Sequence, residues 1–169
     1  MERLAPREGQ TVLDVGCGTG WSLPRLAASG ARVVGIEPSP PMRRQAERRL
    51  LRCGLADRVT LDARPYGTHT GYERSADRIL FSYSLSMVPP YALVLEQAAR
   101  DLRPGGRLVA VDFLDARPPV SWGLRASHVF LGTERLSALR RLFPDHAVSI
   151  RGAVLWRFFL FEGRAGSIP

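Results

Sequence analysis

Short apolar runs alternate with segments of helical period along most of this chain. Such alternation predicts strands and helices in turn, the pattern of a chain that builds a mostly parallel sheet. Residues 11–15, T-V-L-D-V, read as a first buried strand. Three glycines at alternate positions follow, Gly16, Gly18 and Gly20, and then a helix over about 20–29 with Leu23, Leu26 and Ala27 on one side. Pro24 falls in its first turn, where a missing amide costs little, and Gly30 ends it. Residues 32–36, R-V-V-G-I, form a second strand buried on both faces. A helix over 41–53 places Met42, Ala46 and Leu50 on one stripe. Further strands are predicted at 59–61, 77–82 and 107–113. A helix over 91–102 carries Leu95, Ala98, Ala99 and Leu102 inward, and Arg103-Pro104-Gly105-Gly106 breaks it. Residues 65–75 read as loop and 114–132 as a connection. A helix over 133–143 follows, with Thr133 as N-cap and Leu136, Leu139 and Phe143 inward. Two strand-like runs, 146–151 and 153–161, joined at Gly152, end the chain as a hairpin.

Composition changes this picture little. A length of 169 residues suits a single domain with a real core. No apolar run approaches the roughly 20 residues of a membrane-spanning helix, and the first residues lack the apolar core of a signal peptide. Cys17 and Cys53 are the two cysteines, so a reduced cytoplasmic interior is expected. They are too far apart to make a zinc motif, and no histidine has metal-ligand spacing, so no metal is expected.

Charge adds more. The net charge is +8, and all 24 basic residues are arginine. Arginine forks suit phosphate and carboxylate groups, and a basic surface favours anionic partners. A GC-rich coding bias accounts equally well for the missing lysines. The 41–53 helix carries Arg43, Arg44, Arg48, Arg49 and Arg52 around its apolar stripe. That face is either solvated or a patch for peripheral contact with an anionic inner membrane face.

The candidate chemistry begins at the glycine turn. A strand, a glycine-rich turn and a helix N-terminus let backbone approach a nucleotide-type cofactor closely. A dinucleotide fingerprint is G-x-G-x-x-G, whereas here the spacing is G-x-G-x-G, with Trp21 where that pattern wants glycine. Asp14 lies two residues before the first glycine. Its carboxylate can accept hydrogen bonds from the turn's amides or from a ligand's ammonium. Glu37, at the end of the second strand, stands about 20 residues past the turn. An acidic side chain there can accept two bonds from a ribose diol, or serve as a helix N-terminal carboxylate.

The segment D-V-G-C-G-T-G resembles the first motif of the class I S-adenosylmethionine-dependent methyltransferases. G-I-E-P-S-P-P-M, at 35–42, and L-R-P-G-G-R-L, at 102–108, are similar to later segments of that family. The resemblance spans 11–162 and implies a doubly wound, mostly parallel seven-stranded sheet with a C-terminal antiparallel hairpin. It implies S-adenosylmethionine as cofactor, held by Asp14, Gly16, Cys17, Gly18 and Gly20 in the turn. Glu37 would hold the ribose hydroxyls, with Pro38 beside it at the cofactor, and Met42 would lie near the adenine or else pack its helix on the sheet. Asp62 would accept from the adenine amino group, or else cap a turn. Ala63 would donate its amide to a ring nitrogen, and Ser82 ends the fourth strand in the same crevice.

A narrower resemblance rests on L-F-S-Y-S-L-S-M-V-P at 80–89 and V-D-F at 111–113. These look like methyltransferases of lipid amino head groups, such as those that act on phosphatidylethanolamine or make betaine lipids. The expected reaction is N-methylation of a small or lipid amine, with Tyr83 at the amine. Ser84, Ser86 and Asp112 would stand nearby, and Trp122 and His128 would either line a substrate lid or serve only packing and surface. A soluble metabolite as acceptor, or a cofactor-binding subunit without catalysis, are the alternatives. Nucleic acid is a weaker option, because no N/D-P-P-Y/F-like motif is present. Only about ten residues precede the first strand. Family members carry helices there, so that cover is expected to be missing or supplied by another chain.

Overall fold

The computed structural model describes residues 3–67, 71–88, 90–152 and 154–166. Residues 68–70 of the 65–75 loop, and positions 89 and 153 at the ends of two stretches read above, lie outside the described residues. Seven strands form one sheet: β1 (Thr11–Val15), β2 (Arg32–Ile36), β3 (Val59–Asp62), β4 (Ala76–Ser82), β5 (Leu102–Ala116), β6 (His146–Gly152) and β7 (Trp156–Arg164). Their order is β3-β2-β1-β4-β5-β7-β6. The pairings from β3 to β5 are parallel. β7 runs antiparallel to both β5 and β6. The chain therefore winds outward from β1 in one direction, then returns to place β4 on its other side. Ligands of doubly wound sheets bind at the strand C-termini where that reversal occurs.

Helices α1 (Leu23–Ala27) and α2 (Pro40–Arg52) cover one face of the sheet. Leu23, Leu26, Ala46 and Leu50 meet Val12, Val33, Leu80 and Val109 there. Helices α3 (Tyr91–Asp101) and α5 (Glu134–Leu142) cover the other, over Leu13, Ile79, Phe81, Phe159 and Phe161. Burying one such Leu or Phe side chain contributes about 1.5–3 kcal/mol. A strand's alternation sends successive side chains to opposite faces, so β1 feeds both layers.

Four elements differ from the sequence expectation. α1 is shorter than the predicted 20–29, because the glycine turn keeps the chain out of helix as far as Ser22. β5 begins at Leu102, read above as the end of a helix, because Leu102 pairs with Ala76 of β4, and it runs on from 113 because its ladder with β7 continues to the pair Ala116–Trp156. A short helix, α4 (Val120–Ala126), lies in the stretch read as connection. Only Ser121 of it is buried, so it has no apolar stripe to read. β7 begins at Trp156 rather than 153 and runs to Arg164, again set by its pairing. No helix among the described residues is long and apolar enough to cross a membrane.

Candidate functional site

The C-terminal ends of β1, β2, β3 and β4 bring the predicted residues to one edge of the sheet. The glycine turn is pinned there by its own backbone. The Gly16 and Cys17 amides both donate to the Ile36 carbonyl, at 2.8 and 3.1 Å, which ties the turn to the end of β2. Gly16 has φ +70°, and a Cβ on it would lie 2.5 Å from the Ser84 Cβ. Only glycine allows the turns after β1 and β4 to touch this closely. The Ser84 hydroxyl completes the contact by donating to the Val15 carbonyl at 2.7 Å. Around Gly18, in contrast, the space is open. Gly20 admits α2, whose Ala46 would meet any Cβ there. Cys17 packs its thiol into the core beside Gly35, and burial raises its pKa, so only its backbone faces the turn.

Two carboxylates flank the turn. Asp14 is 1 % exposed, and burial raises its pKa from 3.8 to about 6. Its Oδ2 accepts from the Ser22 hydroxyl, while Oδ1 is buried with no partner. A buried acceptor without a donor is costly unless a ligand or water meets it. Glu37 is buried and accepts from the Gly18 amide at 3.0 Å and from the Ser39 amide at 2.9 Å, one on each oxygen. An ionised carboxylate offers about four lone-pair sites, so each oxygen keeps room for a hydroxyl donor. The helix N-terminal role weighed for Glu37 is thus filled by the Ser39 amide without excluding a diol. Pro38 and Met42 beside it are exposed.

Of the two roles weighed for Asp62, its hydrogen bonds fill that of a turn cap. The Arg64 amide, its guanidinium and the Tyr72 hydroxyl all donate to it, at 2.8–3.1 Å. These donors hold its pKa at about 2. The carboxylate is a turn cap as the chain stands. Adenine would have to displace the half-exposed Arg64 to reach it. Ala63 is exposed next to it, with its amide in the same turn.

The residues expected beside the acceptor lie after β4. Ser82 is half-buried at the end of the strand. Tyr83 adopts φ +55°, a backbone conformation uncommon for a residue with a side chain and one that clusters at functional turns. Its amide donates to the Val111 carbonyl at 2.8 Å, and its ring packs 5.0 Å from that of Phe113. Tyr83 is 40 % exposed, and burial together with the Asp112 charge raises its pKa. Asp112 does not face the cleft. It is fully buried beneath the turn and accepts from the Ser86 and Phe113 amides, both at 2.7 Å. The Ser86 carbonyl in turn accepts from the Phe130 amide at 2.8 Å. Trp122 and His128 are exposed on and after α4.

Sequence reading missed several partners of these residues. Ser22, which bonds Asp14, lies just beyond the motif. Tyr72 lies in a loop that carried no pattern. Arg49 was counted on a solvated face, yet it donates to the Thr19 carbonyl at 2.8 Å and lies 4.9 Å over the Trp21 ring. Arg43 likewise donates to the Glu37 and Pro38 carbonyls, at 2.9 and 3.2 Å. Two of the five arginines of that face therefore hold the site's backbone. No local signal separates them from Arg44, Arg48 and Arg52. Among the described residues no group of three or more His, Cys, Asp or Glu could hold a metal ion.

The profile of a family described as a methyltransferase domain matches residues 1–167. The chain belongs to this family. Demethylmenaquinone methyltransferase of Tropheryma whipplei (strain Twist) is 40 % identical over 115 residues, which are 68 % of this chain and 46 % of that protein. The chain thus spans about half the length of the curated relatives it matches. A geranyl diphosphate methyltransferase solved in complex with SAM has a TM-score of 0.82 at 19 % identity, covering 97 % of this chain and 82 % of that one. The [4+2]-cyclase SpnF has the same TM-score at 18 % identity, covering 99 % and 79 %. At such identities these likenesses establish the fold alone. The residues present fit S-adenosylmethionine on their own terms: a buried carboxylate with one oxygen unpartnered at the turn, a second carboxylate at the end of β2, and open space at Gly18 between them.

Proposed function

We propose that this chain is an S-adenosylmethionine-dependent methyltransferase whose acceptor binds beside Tyr83. The observation that carries the reading is Asp14 Oδ1, a buried carboxylate oxygen without a partner at the base of the glycine turn. A ligand bearing an ammonium supplies what that oxygen lacks. Glu37 would accept from the ribose hydroxyls, and the amides around Gly18 would lie against the methionine end. The cofactor, when bound, supplies a methyl group already activated on a sulfonium. The chain's own task is then to align the acceptor and exclude water.

The finer reading is an amine acceptor, such as a lipid amino head group. Its support is Tyr83, a part-exposed aromatic face with the Asp112 carboxylate behind it, a setting that attracts a cation. The amine must lose its proton before transfer, and Tyr83, kept neutral by its raised pKa, can accept a hydrogen bond from the nitrogen. The exposed rim lets the released proton pass to water. A second reading takes a quinone-type acceptor, favoured by the 40 % identity to the demethylmenaquinone methyltransferase.

Calorimetric titration with S-adenosylhomocysteine tests the cofactor. Binding is expected, and Asp14→Asn and Glu37→Gln should each weaken it by about tenfold or more, the loss of one charge-assisted hydrogen bond. No binding at millimolar ligand would sink the proposal. Methyl transfer from labelled cofactor to phosphatidylethanolamine vesicles, free ethanolamine or demethylmenaquinone then separates the acceptors. Transfer confined to the quinone would remove the amine reading.

A further inference from the structure

We propose that the sheet edge carrying the glycine turn docks on an anionic membrane surface through the tip of the β6–β7 hairpin. Residues 151–157 read R-G-A-V-L-W-R, an apolar stretch bracketed by arginines. β6 is parallel to β5, because both run antiparallel to β7. Its C-terminal end therefore lies at the same edge as Tyr83 and the glycine turn. There Val154 is 83 % exposed, and Leu155 and Trp156 are more than a third exposed. The Arg117 amide donates to the Leu155 carbonyl at 2.8 Å, which ties Leu155 to the segment after β5. Val154, Leu155 and Trp156 line a groove of about 490 Å³ together with Asp115, Ala116 and Arg117 at the end of β5. Trp122, 67 % exposed on α4, follows β5 at that edge.

The charges at this edge select the occupant. Arg117, Arg125 and Arg151 are exposed, and Arg157 pairs with Asp115, the acidic side chain of the groove. A symmetric dimer through this patch would set the patch against itself, and so arginine against arginine. The apolar tip is also small beside the roughly 800 Å² per partner of a stable protein interface. A bilayer asks for less. Tryptophan and short aliphatic side chains enter the head-group layer, and arginines around them are drawn to anionic lipid. Docked this way, the mouth of the acceptor site faces the bilayer. The contact does not require the cofactor reading, since neither Asp14 nor Glu37 takes part.

Flotation of the whole chain with phosphatidylcholine vesicles, with and without about 30 mol % phosphatidylglycerol, tests this. The protein should float with the anionic vesicles and stay behind with the neutral ones. Val154→Asp with Leu155→Asp should lower the bound fraction about tenfold, while S-adenosylhomocysteine binding and the circular dichroism spectrum stay at parent values. Arg48→Glu with Arg52→Glu, on the exposed face of α2, should change flotation by no more than about twofold. The proposal is overturned if the chain does not float. It is equally overturned if the α2 pair rather than the tip abolishes flotation. A concentration-dependent dimer that the tip variant dissolves would assign the surface to a second copy instead.

Discussion

Asp14 concentrates the site's electrostatics in one residue. Burial raises its pKa from 3.8 to about 6, against the lowering effect of the Ser22 hydroxyl. For a group raised in the folded state, the unfolded chain gives up its proton first. Its contribution to stability is therefore full below about pH 4 and lost as pH rises through about 6. A shift of this size corresponds to about 3 kcal/mol, as an order of magnitude. In the ligand-free protein, Asp14→Asn is expected to melt above the parent at neutral pH, with the gap closing towards pH 4. Thermal melts across that range check it, and a constant gap would refute the assignment. An ammonium ligand favours the ionised form, so S-adenosylhomocysteine affinity should fall as pH drops below about 6. Asp62 titrates in the opposite sense: Arg64 and Tyr72 hold it at about 2, so its contribution is lost only as pH falls towards that value.

At the scale of elements, the site is a set of turns held against one another. The turn after β1 rests on Ile36 at the end of β2 and on Ser84 after β4. α2 adds a third tether, because Arg49 reaches the Thr19 carbonyl and lies over Trp21. A hydrogen bond from a charged donor and a cation–π contact are each worth about 1 kcal/mol or somewhat more. Arg49→Ala should weaken S-adenosylhomocysteine binding about tenfold and shift Trp21 emission, while Arg49→Lys recovers part of both. Calorimetry and fluorescence on the same variants check this. Equal affinity for all three proteins would show that the turn holds its shape without α2.

On the scale of the molecule, β7 closes the core. It enters between β5 and β6, with Phe159 and Phe161 fully buried on the α3–α5 face of the sheet. Phe143, at the end of α5, packs on the Phe161 ring at 6.2 Å. Phe159→Ala should cost about 3–5 kcal/mol, since the central sheet cannot collapse into the space left. Denaturant unfolding measures it. A loss below about 1 kcal/mol would mean that the hairpin contributes little to the core. The same hairpin carries the membrane-facing tip, so one element both fills the core and presents the outer edge.

The sequence determined by itself what depends on near neighbours. Strand period, three alternating glycines and the next helix lie within a short stretch, so the turn after β1 was legible. Glu37 and Asp62 were legible as strand-end acids because strand length fixes where each strand stops. The terminal hairpin followed from two runs flanking Gly152. Tertiary structure decided the rest. Asp62 is taken up by Arg64 and Tyr72, and Asp112 lies sealed beneath Ser86 rather than in the cleft. Arg49 and Arg43 are set apart from the other arginines of α2 only by the backbone they meet. β5 gains its final residues from its ladder with β7, and the stretch after α4 is tied by the Phe130 amide to the Ser86 carbonyl. A hydrogen-bond donor's partner is fixed by where the sheet places it, and that placement depends on pairings across the whole chain.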